Sequence, residues 1–464
     1  MAADEPAEQT GSTPPIQGKA FIGLLLIAAV TGTVVSLAAW LFLEATHQVQ
    51  VGVYDKLPGQ LGFDHQPLWW PVPICVIAGL IVAAAIMRLP GFGGHIPAMG
   101  LAASPAHPIQ IPGVLLAAVA TVGLGLVLGP EAPLLALGSG LGMFAIGRLA
   151  NEAPRPVVTV MAAAGSFAAI SFLFEAPVIA AILMIEASGI GGKQLPLVLI
   201  PGLLAAGIGS LISIGLGSWT GLSTSGYAIG LLSLPAFPRP TVADFAWTIP
   251  LAVAITIGCV AIVLIGRYVQ PFVMRAPYTW IPIAGLVVAI LAIIFTQLTD
   301  KGTNQVLFSG QDAVGPLTSN PGAWSIGALA ALLVFKGLAW GVSLGSFRGG
   351  PTFPAIFLGA AAGVMASHLP GFDVTPAVAV GVGAAVVAVL RLPLSAVVLA
   401  TLLTSQSGVG DMPLIIFGVV VAYAVVTGLA PRLEAASPRP VEAPPRPAQA
   451  EDEADLPDTA PARA

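Results

Sequence analysis

Charge is what this sequence has least of. Only 8% of its 464 residues are Asp, Glu, Lys or Arg, against about 25% in a typical soluble domain. That excludes an ordinary soluble enzyme. With 17 Lys plus Arg against 22 Asp plus Glu, there is also no basic surface for a nucleic acid. Cysteine is nearly absent. Cys75 and Cys259 both lie inside apolar stretches, so neither a disulfide framework nor a thiolate metal site is available. The five histidines, His47, His65, His95, His107 and His368, show no paired metal spacing. No metal or cofactor is implied. What remains is 56% hydrophobic residues and a mean hydropathy of +0.93. Such a composition excludes disorder for the bulk of the chain and predicts an all-α polytopic membrane protein.

The few charges are unevenly placed. Residues 1–18 and 432–464 are rich in Ala, Pro and acid, and both read as disordered tails. Asp4, Glu5 and Glu8, with seven acids and four arginines from Arg432 onward, make the tails acidic, and the net charge of -5 belongs to them. Residues 19–431 are left with twelve acids and thirteen bases, and each becomes individually interesting because burying a charge in hydrocarbon is costly. The first apolar run, 20–43, is too long and too weakly basic at its start for a cleaved signal peptide. A loop over 44–67 and a second run over 68–87 follow. Lys19 and Arg88 flank these spans on one side, which places the N-terminus in the cytoplasm.

Beyond residue 90 the apolar segments are cut by many of the 54 Gly and 42 Pro. Candidate segments are 97–103, 112–128, 131–148, 157–173, 177–188, 196–216, 245–266, 279–297, 322–342, 352–367, 375–390, 393–405 and 413–430. Several are too short to cross about 30 Å of hydrocarbon. Broken helices of this kind are tolerated where they line a cavity, and paired ones point to an inverted repeat with a midplane site. The halves read as roughly 19–217 and 240–431. Gly129-Pro130-Glu131-Ala132-Pro133 opens one apolar helix, and Gly349-Gly350-Pro351-Thr352-Phe353-Pro354 opens another. Glu175-Ala-Pro177 follows the first and Arg391-Leu-Pro393 the second, at an offset of about 216–220 residues.

A helix that begins in mid-membrane offers free N–H groups and a positive dipole end, which suits an anion. Pro133 and Pro354 fit first-turn positions, where a missing N–H costs nothing. Glu131 sits at such a start. It reads either as a carboxylate that occupies the anion site and leaves on protonation, or as a helix cap facing a loop.

These motifs resemble those of the CLC family of chloride channels and chloride/proton antiporters. Gly129–Pro133 is similar to the family's Gly-Arg/Lys-Glu-Gly-Pro gating motif, and Gly93-Gly94-His95-Ile96-Pro97 to its Gly-Ser-Gly-Ile-Pro anion motif. Gly350–Pro354 is similar to Gly-x-Phe-x-Pro. Residues 162–186 and 389–404 resemble two further family segments. The resemblance covers about 20–430. It implies a CLC-like inverted-repeat fold of tilted and broken helices. It also implies a homodimer with one pore per subunit, and both termini on the cytoplasmic side of the plasma or inner membrane. The function implied is transport of an inorganic anion, chloride above all, with Glu131 as gate and no enzymatic activity. The short C-terminal tail leaves no room for the nucleotide-sensing CBS pair of some members.

The chain departs from the family pattern at several points. Gly94 replaces the anion-coordinating Ser, and Pro130 replaces the basic residue before the gate. Pro351 stands where an amide usually faces the anion, and proline has no N–H; Thr352 and His95 are the replacement donors. The second glutamate of the family, an internal proton relay, aligns with Ala187. The resemblance thus implies a voltage-gated chloride channel-like protein without the usual proton coupling. The alternatives are an antiporter using Glu186 or Glu175 as internal acceptor, or a carrier of another anion. Glu175 and Glu186 otherwise read as helix-end acids that face water or pair with Arg391 or Arg348. Lys336 and Arg348, which flank the second-half broken helix, read as side chains snorkelling to the interface or as a cytoplasmic or extracellular anion funnel, and Trp69, Trp70 and Tyr278 as interfacial belt. An intramembrane enzyme built on Glu131 with His95 or His107 lacks a nucleophile or metal set. A carrier of non-anionic solutes conflicts with helix N-termini aimed at the site.

Overall fold

Helices form because the membrane leaves backbone groups no other partner. The computed structural model describes residues 18–101, 105–149, 153–189, 191–192, 195–220, 230–438 and 441. Residues 1–17 of the N-terminal tail expected at 1–18 and most of the tail expected at 432–464 fall outside this set. Sixteen α-helices result: α1 (Lys19–Val51), α2 (Leu57–Gln60), α3 (Pro71–Arg88), α4 (Ile111–Gly123), α5 (Glu131–Leu149), α6 (Arg155–Phe174), α7 (Pro177–Ser188), α8 (Leu195–Thr220), α9 (Val242–Val273), α10 (Pro277–Thr299), α11 (Gln311–Ser319), α12 (Ile326–Ser346), α13 (Thr352–Ala366), α14 (Val374–Leu390), α15 (Pro393–Leu403) and α16 (Met412–Ala436). Among the described residues nine helical stretches are long and apolar enough to cross a membrane, while α7, α13, α14 and α15 are shorter.

The breaks have local causes. Helix α6 stops where Glu175 turns left-handed at φ 52°, and α14 stops where Arg391 does so at φ 58°. In both cases one residue and a proline follow. The residue before proline is pushed out of the helical region, and the proline then opens the next helix. The packing repeats as well. Gly138 of α5 and Gly165 of α6 lie backbone to backbone, each leaving no room for a Cβ against the other's carbonyl; Gly359 of α13 and Gly381 of α14 do the same. Close crossing through small residues is the membrane solution to helix packing, since lipid supplies no hydrophobic drive between helices. Gly381→Val should therefore cost about 1–3 kcal/mol by overpacking. Gly207→Ala, which faces open space, should be neutral. Thermal unfolding in detergent compares the two.

Several expectations shift. The supposed loop 44–67 is helical to Gln60, with one π turn at Gly52–Lys56. It folds because Tyr54 is buried and its hydroxyl donates to Leu124 O at 3.0 Å. Trp70 is likewise buried, its indole N–H bound to Val53 O at 3.0 Å, whereas Trp69 is 52% exposed as an interfacial residue would be. The described part of the segment 97–103, residues 97–101, forms a single turn, Pro97–Met99, and the segment 112–128 stops being helical at Gly123. Short α11 was not anticipated. Helix α16 runs to Ala436, five residues past the expected boundary.

Candidate functional site

The two broken helices meet through their entry segments. Gly129 N–H donates to Gly350 O at 2.8 Å, and Gly350 N–H donates to Gly129 O at 2.7 Å, as an isolated antiparallel bridge. The paired residues are repeat equivalents. Each opens a Gly-Pro-x-x-Pro motif, Gly129–Pro133 and Gly350–Pro354, 221 positions apart. A residue exchanging both bonds with its own counterpart in antiparallel sense marks a local two-fold axis. The halves therefore enter the site in opposite directions. Pro130 and Pro351 stop the bridge from becoming a ladder, and a helix starts immediately after each.

The free donors follow from the same motif. Leu134 N–H is bonded to Pro130 O at 3.1 Å and Ala355 N–H to Pro351 O at 3.3 Å. Pro133 and Pro354 have no N–H. The amides left without a helical acceptor are those of Glu131 and Ala132 on α5, and of Thr352 and Phe353 on α13. Pro130 and Pro351 lack donors, as expected, but they sit one step before this set, so two amides per helix survive.

Glu131 is completely buried. Its carboxylate crosses the local axis and accepts a hydrogen bond through Oε1 from Thr352 N–H, at the start of the other broken helix. The N–H groups of Glu131 and Phe353 and the Thr352 hydroxyl converge on the same carboxylate. Oε2 itself has no hydrogen bond of normal geometry. The backbone leaves space for this arrangement: a Cβ at Gly350 would fall inside the carboxyl group, and one at Gly129 would fall on Oε2. Beside it, Phe353 stacks on Phe174 at 5.6 Å between ring centroids and 24° between planes. The Glu131 carboxylate thus lies where the N-terminal amides of two broken helices converge.

The third motif joins this pair indirectly. Gly91, Phe92, Gly93 and Gly94 have φ values of 77°, 49°, 72° and 102°, all in the left-handed region. Ile96 is extended, and Pro97 opens a single turn. Arg348, just before Gly349, ties this loop down. Its Nε donates to Phe92 O at 3.2 Å and its Nη1 to Phe347 O at 3.1 Å. His95 is half-buried, and its Nε2 is sealed from solvent with no partner. Gly93, Gly94, His95, Ile96 and Pro97 are thereby linked to Gly350–Pro354, but by Arg348 rather than by their own side chains.

Both interior cations depart from the snorkelling expectation. Lys336 is 0% exposed and Arg348 is 4% exposed. Lys336 Nζ faces four backbone carbonyls, of Gln305, Val306, Leu307 and Phe308, at 3.0–3.2 Å. Neither reaches an interface, because carbonyls in the protein interior replace water around them. Nor does Arg348 serve Glu175 or Glu186. Glu186 instead caps α15: Oε1 accepts from Leu394 N–H at 2.9 Å, and Oε2 from Ser395 N–H and Oγ at 2.7 Å. Glu175 is exposed and accepts from Ser213 Oγ at 3.3 Å. Of the two sequence readings of Lys336 and Arg348, snorkelling and an anion funnel, the burial of both excludes the first.

Comparison with known proteins bears on family and fold. The family model described as voltage gated chloride channel matches residues 96–427. YfeO of Escherichia fergusonii, a protein named for ion transport, is 28% identical over 348 residues, covering 72% of this chain and 76% of its own. YfeO of Escherichia coli (strain K12 / DH10B) is also 28% identical over the same shares. Among solved structures, a slow cyanobacterial Cl-/H+ antiporter superposes with a TM-score of 0.68 at 18% identity, over 90% of this chain and 99% of its own. A CLC-type fluoride/proton antiporter gives 0.62 at 17% identity, over 88% and 96%. The two structural likenesses carry the fold, and the family match carries the membership. The chain belongs to the voltage-gated chloride channel (CLC) family of multi-pass membrane proteins.

Proposed function

We propose that this protein moves small inorganic anions, chloride foremost, across a cell membrane through a pathway gated by Glu131 and without the usual proton coupling. The observation that supports this reading is the Glu131 carboxylate seated on the Thr352 N–H. A group that mimics the cargo at a helix N-terminus blocks it while charged and frees it when protonated. Anion-binding contacts come from the Glu131, Ala132, Thr352 and Phe353 amides and the Thr352 hydroxyl. Gly129, Pro130, Pro133, Gly350, Pro351 and Pro354 shape the seat. The fold supports a homodimer in lipid, each subunit with its own pore and both termini cytoplasmic.

The absence of coupling rests on Ala187 and on Glu186. Where an internal relay would stand there is a methyl group, and the neighbouring carboxylate is engaged by three donors at the start of α15. Glu186→Ala should cost about 1–2 kcal/mol as a lost cap and leave anion efflux unaccompanied by proton movement, as in the wild type. The deciding experiment is chloride, nitrate and fluoride efflux from liposomes with pH recorded at the same time. Uphill proton movement driven by an anion gradient, abolished in Glu186→Gln, would establish the antiporter instead. A preference for fluoride over chloride would make it a carrier of a different anion.

A further inference from the structure

Two cations lie inside the described membrane core, and they are solvated differently. Lys336 has a full set of partners: four carbonyls and the face of Phe357, whose centroid is 4.6 Å from Nζ. Arg348 does not. A guanidinium carries five N–H donors, and here only Nε and Nη1 are used, each on one carbonyl. Among the described residues Nη2 makes no hydrogen bond, in a residue only 4% exposed. Among the described residues no carboxylate pairs with Arg348. A buried cation without a counter-charge is among the costliest groups a membrane protein can hold.

Its position is specific. The side chain lies across Gly93, with Cγ at 3.3 Å from where a Cβ there would sit. It also holds the carbonyl of Phe92, a non-glycine residue at φ 49°. One end of Arg348 is therefore fixed to the Gly93–Pro97 loop, and its backbone leads directly into Gly349 and Gly350. The loop has no hydroxyl of its own at Gly94.

We infer that Arg348 is a selectivity-determining residue of the anion pathway: its free guanidinium edge holds a small inorganic anion between the Gly93–Pro97 loop and the Gly350–Pro354 motif, and the transported anion is its missing counter-charge. This rests on the anion-transport reading above. A planar fork favours oxyanions it can meet through two parallel bonds, so nitrate gains over chloride at this residue.

The test measures the concentration dependence of chloride and nitrate efflux from liposomes for wild type, Arg348→Met and Arg348→Lys. Each is first checked for wild-type elution in detergent. Arg348→Met should raise the half-saturating anion concentration at least about tenfold, the loss expected for one charge-assisted hydrogen bond. Arg348→Lys should recover chloride affinity to within about threefold while lowering the nitrate-to-chloride ratio, because a point charge replaces a fork. The inference is overturned if folded Arg348→Met keeps wild-type half-saturation and anion ratio. It is also overturned if both variants lose maximal flux alike with no change in concentration dependence, since that is a purely structural tie. Should Arg348→Met not fold, the nitrate-to-chloride ratio of Arg348→Lys decides. Wild type that moves no anion at all would instead remove the transport reading itself.

Discussion

Glu131→Gln should raise chloride efflux from liposomes at neutral pH by about 10- to 100-fold and remove most of its pH dependence. On the proposed reading the carboxylate, bound to the Thr352 N–H and its converging neighbours, competes there with the anion. A hydrogen bond to a charged group contributes about 1.5–3 kcal/mol, and each 1.4 kcal/mol is a factor of ten in occupancy. In the wild type the sign is fixed by protonation. As pH falls, the carboxylate takes up a proton and loses its charge-assisted hold. The seat opens to the cargo, so flux rises toward acid. Glutamine mimics the protonated side chain at every pH, so its flux starts high and stays level. Glu131→Ala should behave alike, with a larger maximum because the side chain no longer fills the space between Gly129 and Gly350. Efflux that follows the wild-type pH profile in both variants would show that Glu131 is a helix cap and that the gate lies elsewhere.

The parts of this site that were legible in the sequence are those encoded locally. Gly, Pro and a single acid within five residues announce a helix start, and the repeated Gly-Pro-x-x-Pro spelling was present to be read. Helix ends at Glu175 and Arg391 followed from the prolines two residues on. What the sequence did not disclose depends on distant backbone. Glu186 finds its donors at Leu394 and Ser395, more than 200 positions away. Arg348 and Lys336 looked like interfacial side chains because a basic residue near a span end usually snorkels. Nothing in their neighbours showed that carbonyls of Phe92 and of residues 305–308 would be waiting in the interior. Even the inversion of the halves required seeing Gly129 pair with Gly350, since an offset gives equivalence but no direction.

Lys336→Met should be strongly destabilising, by about 3–5 kcal/mol, because several buried carbonyls lose their donor at about 1–3 kcal/mol each. Methionine fills nearly the same volume, so the loss is not a cavity effect. It comes from four carbonyl oxygens, of Gln305, Val306, Leu307 and Phe308, that share the three ammonium protons at 3.0–3.2 Å. Without the ammonium they point at one another in a dry interior, where unsatisfied polar groups are expensive. The damage should reach the gate. Phe308 N–H donates to Gly125 O at 3.1 Å, and its ring meets Tyr54 edge-on at 5.0 Å between centroids. Four residues beyond Gly125 the chain reaches Gly129, whose bridge to Gly350 sets the Glu131 seat. Helix α12 thus supports the pathway through a side chain that never touches the anion. Thermal unfolding in detergent, read beside chloride efflux, tests this: Lys336→Met should unfold far below wild type and conduct poorly even where folded. For Lys336→Ala, which leaves a void the size of the lost chain, added methylammonium should restore part of the stability by returning a cation to the carbonyl cage. A Met variant within about 1 kcal/mol of wild type would mean that the cage relaxes or takes up water, and that the ammonium is dispensable to the fold.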